Sequence, residues 1–383
     1  MDVHDETSYT FALQQGGGTG NFRGVVRAEE FLHPEVVAVD ARDCRDDSAG
    51  RTGGATGSSD PLARLASELA SELAQVRQLI RERADSTHVA RIQEIADHLL
   101  GSGGKQIRPI LTLSAAGLFD YPGESHLHLA AAVEFIHTAT LLHDDVVDQS
   151  AQRRGKPTAN LLWDNKSSVL VGDFFFARSF QLMVRTSSIA ALDVLANASA
   201  TISEAEIIQL AETHRVDVDE ATYFRIIGGK TASLFSAAAR VGVLVAGGDQ
   251  AEQEAAGNFG NALGISFQIR DDMLDYGDSK TIGKNVGDDF RDRKMTLPII
   301  RAHARADEAE RQFWVRVIAA GDQREGDFDQ AVGLLKSRGI LEEVHDDARA
   351  WSDRARHELQ NLPGHRLRDD LDDLAEFAAY RNN

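Results

Sequence analysis

From Pro61 to the C-terminus, apolar residues return every three or four positions and polar residues fill the gaps. Leu62, Leu65, Leu69, Leu73, Val76 and Ile80 form the first such stripe, which is the period of a helix with one buried face. The same period predicts helices over Ile92–Leu100, Ile107–Phe119, Leu127–Val147, Ser168–Val184, Ala190–Glu212, Glu220–Val245 and Glu252–Tyr276. Breakers separate them: Gly101-Ser102-Gly103-Gly104, Asp120-Tyr121-Pro122-Gly123, Gly155-Lys156-Pro157 and Gly247-Gly248. From Pro298 onward the pattern stays helical but more charged, as outer helices are. No segment alternates with a period of two and β-branched enrichment, so any strand must be short. The expected class is all-α, one helical domain over residues 61–383. Residues 1–60 differ: Gly16-Gly17-Gly18, scattered acids and Gly50-Arg51-Thr52-Gly53-Gly54 read as a flexible, disordered extension.

The totals narrow the chemistry. A formal charge of −19 over 383 residues argues against a nucleic-acid partner, which needs a broad face of Lys and Arg. Anionic substrates must therefore meet locally placed cations or a metal. Cys44 is the only cysteine, which excludes an internal disulfide and a multi-thiolate zinc site and fits a reducing cytoplasm. No apolar run approaches the roughly twenty residues of a membrane span, and the acidic start lacks the basic opening of a signal or transit peptide. The expectation is a soluble, cytoplasmic protein.

One motif occurs twice. Asp144-Asp145-Val146-Val147-Asp148 follows Leu141-Leu142, and Asp271-Asp272-Met273-Leu274-Asp275 follows Ile265, Phe267 and Ile269. On a helix the first and last aspartates share a face and the middle one lies about 100° round it, so each motif gathers three carboxylates. A solvated acidic face is the plain alternative. However, charge set directly after apolar helix is costly unless used, and the spacing recurs. Mg²⁺, which binds through one or two carboxylates plus water and substrate phosphate, answers the repulsion. The pattern predicts metal-bridged diphosphate.

Positive charge brackets both motifs. Gly103-Gly104-Lys105-Gln106-Ile107-Arg108-Pro109 opens a helix, where glycines let backbone N–H groups approach an anion and Lys105 and Arg108 share one side. Arg153, Arg154 and Lys156 follow the first cluster, and Lys284 and Lys294 follow the second, with Asp288-Asp289 between them. Lys230-Thr231 interrupts an apolar helix with a cation and a hydroxyl. His137, two turns before Asp144 on the same face, can donate to a phosphate; Gln268 precedes Asp272 by one turn.

Taken together, Gly103–Pro109, the first aspartate-rich motif with Arg153-Arg154, Gly229-Lys230-Thr231, Phe267-Gln268 with the second motif, and Thr296-Leu297-Pro298 resemble the trans-isoprenyl diphosphate synthases. The resemblance runs from about residue 62 to the C-terminus, and the stretch Glu134–His143 is similar to long-chain members that make quinone side chains. It implies a homodimer of helical bundles, each with a deep central cavity and the two acidic motifs facing each other across its mouth. It further implies that Asp144, Asp145, Asp148, Asp271, Asp272 and Asp275 hold Mg²⁺ on the allylic diphosphate with Arg153, Lys230, Thr231, Gln268, Lys284 and Lys294. Lys105, Arg108, His137 and Arg154 would hold isopentenyl diphosphate. Two departures stand out: Gln106 replaces the family's usual Arg, and Arg291-Asp292-Arg293-Lys294 lacks the glycine that often precedes the lysine.

The implied reaction ionises an allylic diphosphate, and the double bond of isopentenyl diphosphate attacks the cation. Ala139 and Thr140 lie five and four residues before Asp144, one turn deeper on the same side. Being small, they leave the cavity floor open, which predicts an octaprenyl to decaprenyl product. A terpene cyclase or a head-to-head condensing enzyme has no use for the Lys105–Arg108 cradle. A non-catalytic partner subunit would not need both acidic motifs complete. Peripheral membrane contact for product release stays compatible with this reading.

Overall fold

The chain enters its first helix at a proline, whose fixed φ suits the first turn and whose missing N–H is not needed there. Asp60 caps that turn, its carboxylate accepting from the Leu62 N–H at 3.0 Å. The computed structural model describes residues 60–381 apart from 87, 101–103, 154 and 278–285. The N-terminal extension read from the sequence therefore lies outside the described residues, except for the Asp60 cap.

Helices α1 (Pro61–Glu68) and α2 (Ala70–Ala84) bury the predicted stripe, with Leu65, Leu69, Leu73, Val76 and Ile80 at most 3% exposed. Next come α3 (Ala90–Leu100), α4 (Ile107–Gly117) and α5 (Ser125–Val147). A two-residue antiparallel ribbon follows, β1 (Gln152–Arg153) against β2 (Lys156–Pro157), with Gln152 opposite Pro157 and Arg153 opposite Lys156. It turns through Gly155 at φ +73°, a left-handed conformation that glycine adopts without penalty. This is the short strand pair that the sequence pattern left room for.

The rest is helical: α6 (Ala159–Leu162), α7 (Asn165–Arg185), α8 (Ile189–Ala211), α9 (Glu220–Ile227), α10 (Ser233–Val245) and α11 (Gln250–Leu274). Then come α12 (Asp288–Arg291), α13 (Leu297–Ala304), α14 (Glu308–Trp314), α15 (Asp327–Ser337), α16 (Ile340–Leu359) and α17 (Arg366–Tyr380). Helix starts are capped by side chains: Asp249 and Glu252 form a reciprocal capping box on α11, and Asp219 accepts from the Thr222 N–H at 2.7 Å on α9.

The two motif-bearing helices run through the middle of the packing. α5 lies along α7, and α11 lies along α10 and α16. One apolar core joins α1–α8 to α10, α17 and the first half of α11. A second joins α9 and the end of α11 to α12–α16, so α11 and α16, whose Ala355 and Leu359 belong to the first core, tie the two together. Trp314, Tyr276, Phe135, Phe175 and Phe235 are essentially fully buried, each worth about 2 kcal/mol or more of transfer free energy. Among the described residues no helix is long and apolar enough to cross a membrane.

One element departs from expectation. The predicted helix Glu220–Val245 is broken by a π-helical turn, Gly228–Ala232. At Gly229 a Cβ would come within 2.6 Å of the Ala205 Cβ on α8, so glycine is what lets this turn approach its neighbour. A π-turn adds a residue to the helical turn and re-aims the side chains on it. Those side chains are Lys230 and Thr231.

Candidate active site

The last turn of α5 presents the first cluster. Asp144 is 13% exposed, with the Lys230 ammonium 3.6 Å away. Burial pushes its carboxyl above the usual range and Asp148 adds to the shift, while Lys230 and Arg153 oppose it. Lys230 is shared with Glu206 of α8, at 2.8 and 3.0 Å to its two oxygens. Glu206 is raised as well, first by burial and then by Asp144, against the pull of Lys230. Asp145 is only 1% exposed and accepts from Arg153 Nε at 2.8 Å and Nη2 at 2.7 Å. Asp148 stands exposed at the helix end.

The second cluster closes α11. Asp272 is 4% exposed; the Tyr223 hydroxyl donates to Oδ2 at 2.7 Å and Gln268 Nε2 donates to Oδ1 at 2.8 Å. Thr231 donates in turn to Gln268 Oε1 at 3.0 Å. A chain thus runs from the π-turn through Gln268 and Asp272 to Tyr223. Burial holds the Asp272 carboxyl well above its ordinary value, and Asp289 adds repulsion. Asp275 accepts from the backbone N–H groups of Gly287, Asp288 and Asp289 at 3.0, 3.0 and 2.9 Å. It thereby fixes the start of α12. Asp271 is more open and takes a 2.7 Å contact from Arg381. The Arg381 guanidinium also donates to the Phe267 carbonyl at 3.1 Å and lies 3.6 Å from the Phe267 ring centroid.

Lys294 links the clusters. Its ammonium is 3.6 Å from Asp289 and 3.2 Å from Asp292. Despite burial, its pKa is raised by these two and by Asp148 of the first cluster. Asp289 is pushed up to about 6 by burial, with Lys294 opposing. Lys230 thus faces Asp144 and Glu206, and Lys294 lies between Asp148 of the first motif and Asp289, which in turn neighbours Asp275 and Asp272 of the second.

The expected set for the second anion is divided. His137 lines a cavity of about 200 Å³ together with Arg153 and Asp145. Lys105 lines a smaller one with Phe235, Phe267 and Arg381, and the Arg108 guanidinium lies 4.7 Å from the Phe235 ring centroid. Arg154 and Lys284 lie outside the described residues. Ala139 is fully buried, one turn from Phe135, whose ring meets Phe175 at 5.4 Å. Thr140 donates its hydroxyl to the His137 carbonyl at 2.8 Å.

Glu206, Tyr223 and Arg381 were not picked out from the sequence. Glu206 carried a signal, since it interrupts the apolar run of α8 much as Lys230 interrupts its own helix. Tyr223 and Arg381 carried none, because their partners are 49 and 110 residues away.

The donors suit a hard divalent cation. Asp144, Asp148 and Asp271 offer carboxylate oxygens, and Asp144 and Glu206, both raised by burial, share the single ammonium of Lys230. Among the described residues no three ligating side chains converge to enclose an ion alone.

The sequence pattern of polyprenyl synthetase matches residues 89–335. An octaprenyl diphosphate synthase of Escherichia coli (strain K12) is 40% identical over 308 residues, covering 80% of this chain and 95% of the relative. The crystal structure of a decaprenyl diphosphate synthase from Rhodobacter capsulatus shares 56% identity, with a TM-score of 0.82 over 84% of this chain and 100% of that one. A polyprenyl synthase from Caulobacter crescentus CB15, complexed with calcium and isoprenyl diphosphate, gives 46% and 0.81 over 86% and 100%. With the all-α fold, the paired aspartate motifs and these matches in hand, the chain belongs to the polyprenyl synthetase family of trans-isoprenyl diphosphate synthases.

Proposed function

We propose that residues 61–383 form a magnesium-dependent prenyltransferase. It adds isopentenyl diphosphate head-to-tail onto an allylic diphosphate primer, giving a long all-trans polyprenyl diphosphate of the octaprenyl to decaprenyl class. The observation that carries this reading is Asp144 of the first motif set against Lys230 on the π-turn, whose Thr231 leads through Gln268 to Asp272 of the second motif, with Lys294 drawn to Asp148. Such an arrangement suits a diphosphate leaving group, whose developing charge is best met by groups already in place. Mg²⁺, when bound, would supply Lewis-acid stabilisation of the departing oxygens, held chiefly by Asp144, Asp148 and Asp271.

The chain's own residues do the rest. Lys230, Lys294, Arg153 and Lys284 orient the allylic diphosphate. Asp145 acts by holding Arg153, while Thr231 and Gln268 act through Asp272. Asp275 fixes the start of the segment that bears Lys294. Lys105, Arg108, His137 and Arg154 hold the second substrate, so that its double bond lies beside the ionising carbon. The released diphosphate takes the proton. Apolar walls such as Phe135 and Phe175 keep water from the cation.

The working unit in this reading is a homodimer, supported by exposed apolar side chains on α7 and α8: Leu170 is 66% exposed, Val184 65%, Ile189 78% and Ile207 67%. The product serves as a quinone side chain, and the enzyme acts in the cytoplasm. The test is product analysis with Mg²⁺, labelled isopentenyl diphosphate and farnesyl diphosphate, followed by chromatography after dephosphorylation. A ladder ending at eight to ten isoprene units is the expected result, by the small-residue argument at Ala139 and Thr140. Absence of any elongated product with every allylic primer would overturn the assignment.

A further inference from the structure

The cavity that contains His137 has a second wall that none of the recognised motifs supplies. That wall is α2, which contributes Arg77 and Arg81, four residues apart on one face. The lining holds four cations, Arg77, Arg81, Arg153 and Lys156, against two carboxylates, Glu134 and Asp145. Asp145 is already engaged by Arg153, so positive charge is in surplus here, although the chain as a whole carries −19.

The cavity is built rather than incidental. Arg77 Nη1 donates to Gln106 Oε1 at 3.1 Å. Gln106 is held at φ +49°, a left-handed conformation that costs a side-chain-bearing residue and that accumulates at functional sites. His98 of α3 bonds the Pro157 carbonyl at 2.8 Å, which ties the ribbon carrying Arg153 and Lys156 to α3 at the cavity wall. On the remaining side, Glu134, His137, Thr138 and Leu141 form one face of α5, leading directly to Asp145. Neither Arg77 nor Arg81 is paired with a carboxylate among the described residues. Two like charges side by side on a helix are unfavourable without an anion between them.

We infer that this cavity binds a diphosphate group and that Arg77 and Arg81 are ligands to it, joining His137 and Lys156. The inference rests on the function proposed above. Two sources share this chemistry: the head group of isopentenyl diphosphate arriving for the next addition, and the inorganic diphosphate released by the last one. Guanidinium pairs suit either, because each arginine can present two parallel N–H donors to phosphate oxygens.

The test compares the full-length wild type with the Arg77→Gln/Arg81→Gln double variant, after circular dichroism has shown both to be folded. Steady-state rates give KM for each substrate, and inorganic pyrophosphate serves as product inhibitor. The expected result is a rise of about tenfold or more in KM for isopentenyl diphosphate, in the pyrophosphate concentration for half-inhibition, or in both, as the loss of charge-assisted bonds predicts. KM for farnesyl diphosphate should stay level, and Arg77→Lys/Arg81→Lys should recover part of the loss. A rise confined to KM assigns the site to the incoming head group, and one confined to inhibition assigns it to the released anion. Unchanged values for both, or equal rises in KM for both substrates, overturn the inference. Calorimetry of inorganic pyrophosphate binding to the metal-free proteins decides the site without turnover: weaker binding by the double variant supports it and equal binding refutes it. A wild type that elongates nothing would instead count against the proposed function.

Discussion

The two acidic motifs have the same spacing and opposite circumstances. Asp144 and Asp148 sit at the exposed end of α5 with ammonium groups nearby. By contrast, Asp272 is buried under Tyr223 and Gln268, and Asp275 is spent on three backbone N–H groups. In each motif the middle aspartate is the buried one, and each has its own partner: Arg153 for Asp145, Tyr223 with Gln268 for Asp272. Burial raises the carboxyls of Asp144, Asp272 and Asp275 alike. What differs is who compensates them, cations in the first cluster and neutral donors in the second. The first motif is therefore electrostatically responsive, and the second is a braced wall on which Asp271 is the open oxygen donor.

The largest expected effect tests the responsive side. Asp144→Ala should lower turnover by about three orders of magnitude, the scale set by removing one group from a preorganised charge site. The fold should hold, because Lys230 keeps Glu206 as a partner and the deleted carboxyl was disfavoured by burial. Turnover with farnesyl and isopentenyl diphosphates checks it, beside a melting curve. A folded variant with near-normal turnover would remove Asp144 from the mechanism.

The helices leading into the motifs differ too. Five and four residues before Asp144 stand Ala139 and Thr140, whereas the same offsets before Asp271 give Ser266 and Phe267. One approach is small, and the other is aromatic and covered by Arg381. Ala139→Tyr puts an aromatic on the small approach, one position from where the second helix has Phe267. It should shorten the product by several isoprene units while costing about 1–3 kcal/mol of stability from overpacking a fully buried site. Product length by chromatography decides it. An unchanged spectrum would move the floor of the cavity to the Phe174–Phe176 ring cluster on α7.

The comparison also shows what the sequence could carry. Both motifs, their helices and the bracketing cations were legible, because three-residue and four-residue periods and local charge survive in the linear order. Lys230-Thr231 was legible as an interruption, but the π-turn around it was not, since it depends on Gly229 meeting Ala205 on another helix. The braces were hidden. Tyr223 and Arg381 look like ordinary helix residues until the fold brings them to Asp272 and Asp271. That Lys105 lines one cavity and His137 another depends on the fold and not on the linear order.

Tyr223→Phe tests the braced side with less effect. It removes one donor and leaves the Asp272 carboxyl with Gln268, at a cost of about 1–2 kcal/mol for an under-satisfied buried group. Turnover should fall about tenfold through misplacement of the wall rather than loss of a charge, an effect of about 1.4 kcal/mol. If Tyr223→Phe matched Asp144→Ala in turnover, the division between responsive and braced clusters would fail.

The smallest effect comes from a control at the far end of α5, where His126 is 7% exposed, faces Glu72 at 4.0 Å and packs edge-on to Tyr121. Burial lowers its pKa, only partly offset by Glu124. The sign follows from linkage: at pH 7.5 the ring is neutral in both states and stability is complete. As pH falls through 6.5 the unfolded chain takes up a proton that the folded state resists, so stability declines. His126→Phe should flatten this contribution, a change on the order of 1 kcal/mol or less, leaving turnover untouched. Melting curves between pH 7.5 and 5.5 measure it. If His126→Phe kept the full acid slope, the buried ring would not be its source. If it altered turnover, the N-terminal end of α5 would be coupled to the cluster at its C-terminal end, and the first motif could no longer be treated as a local charge site.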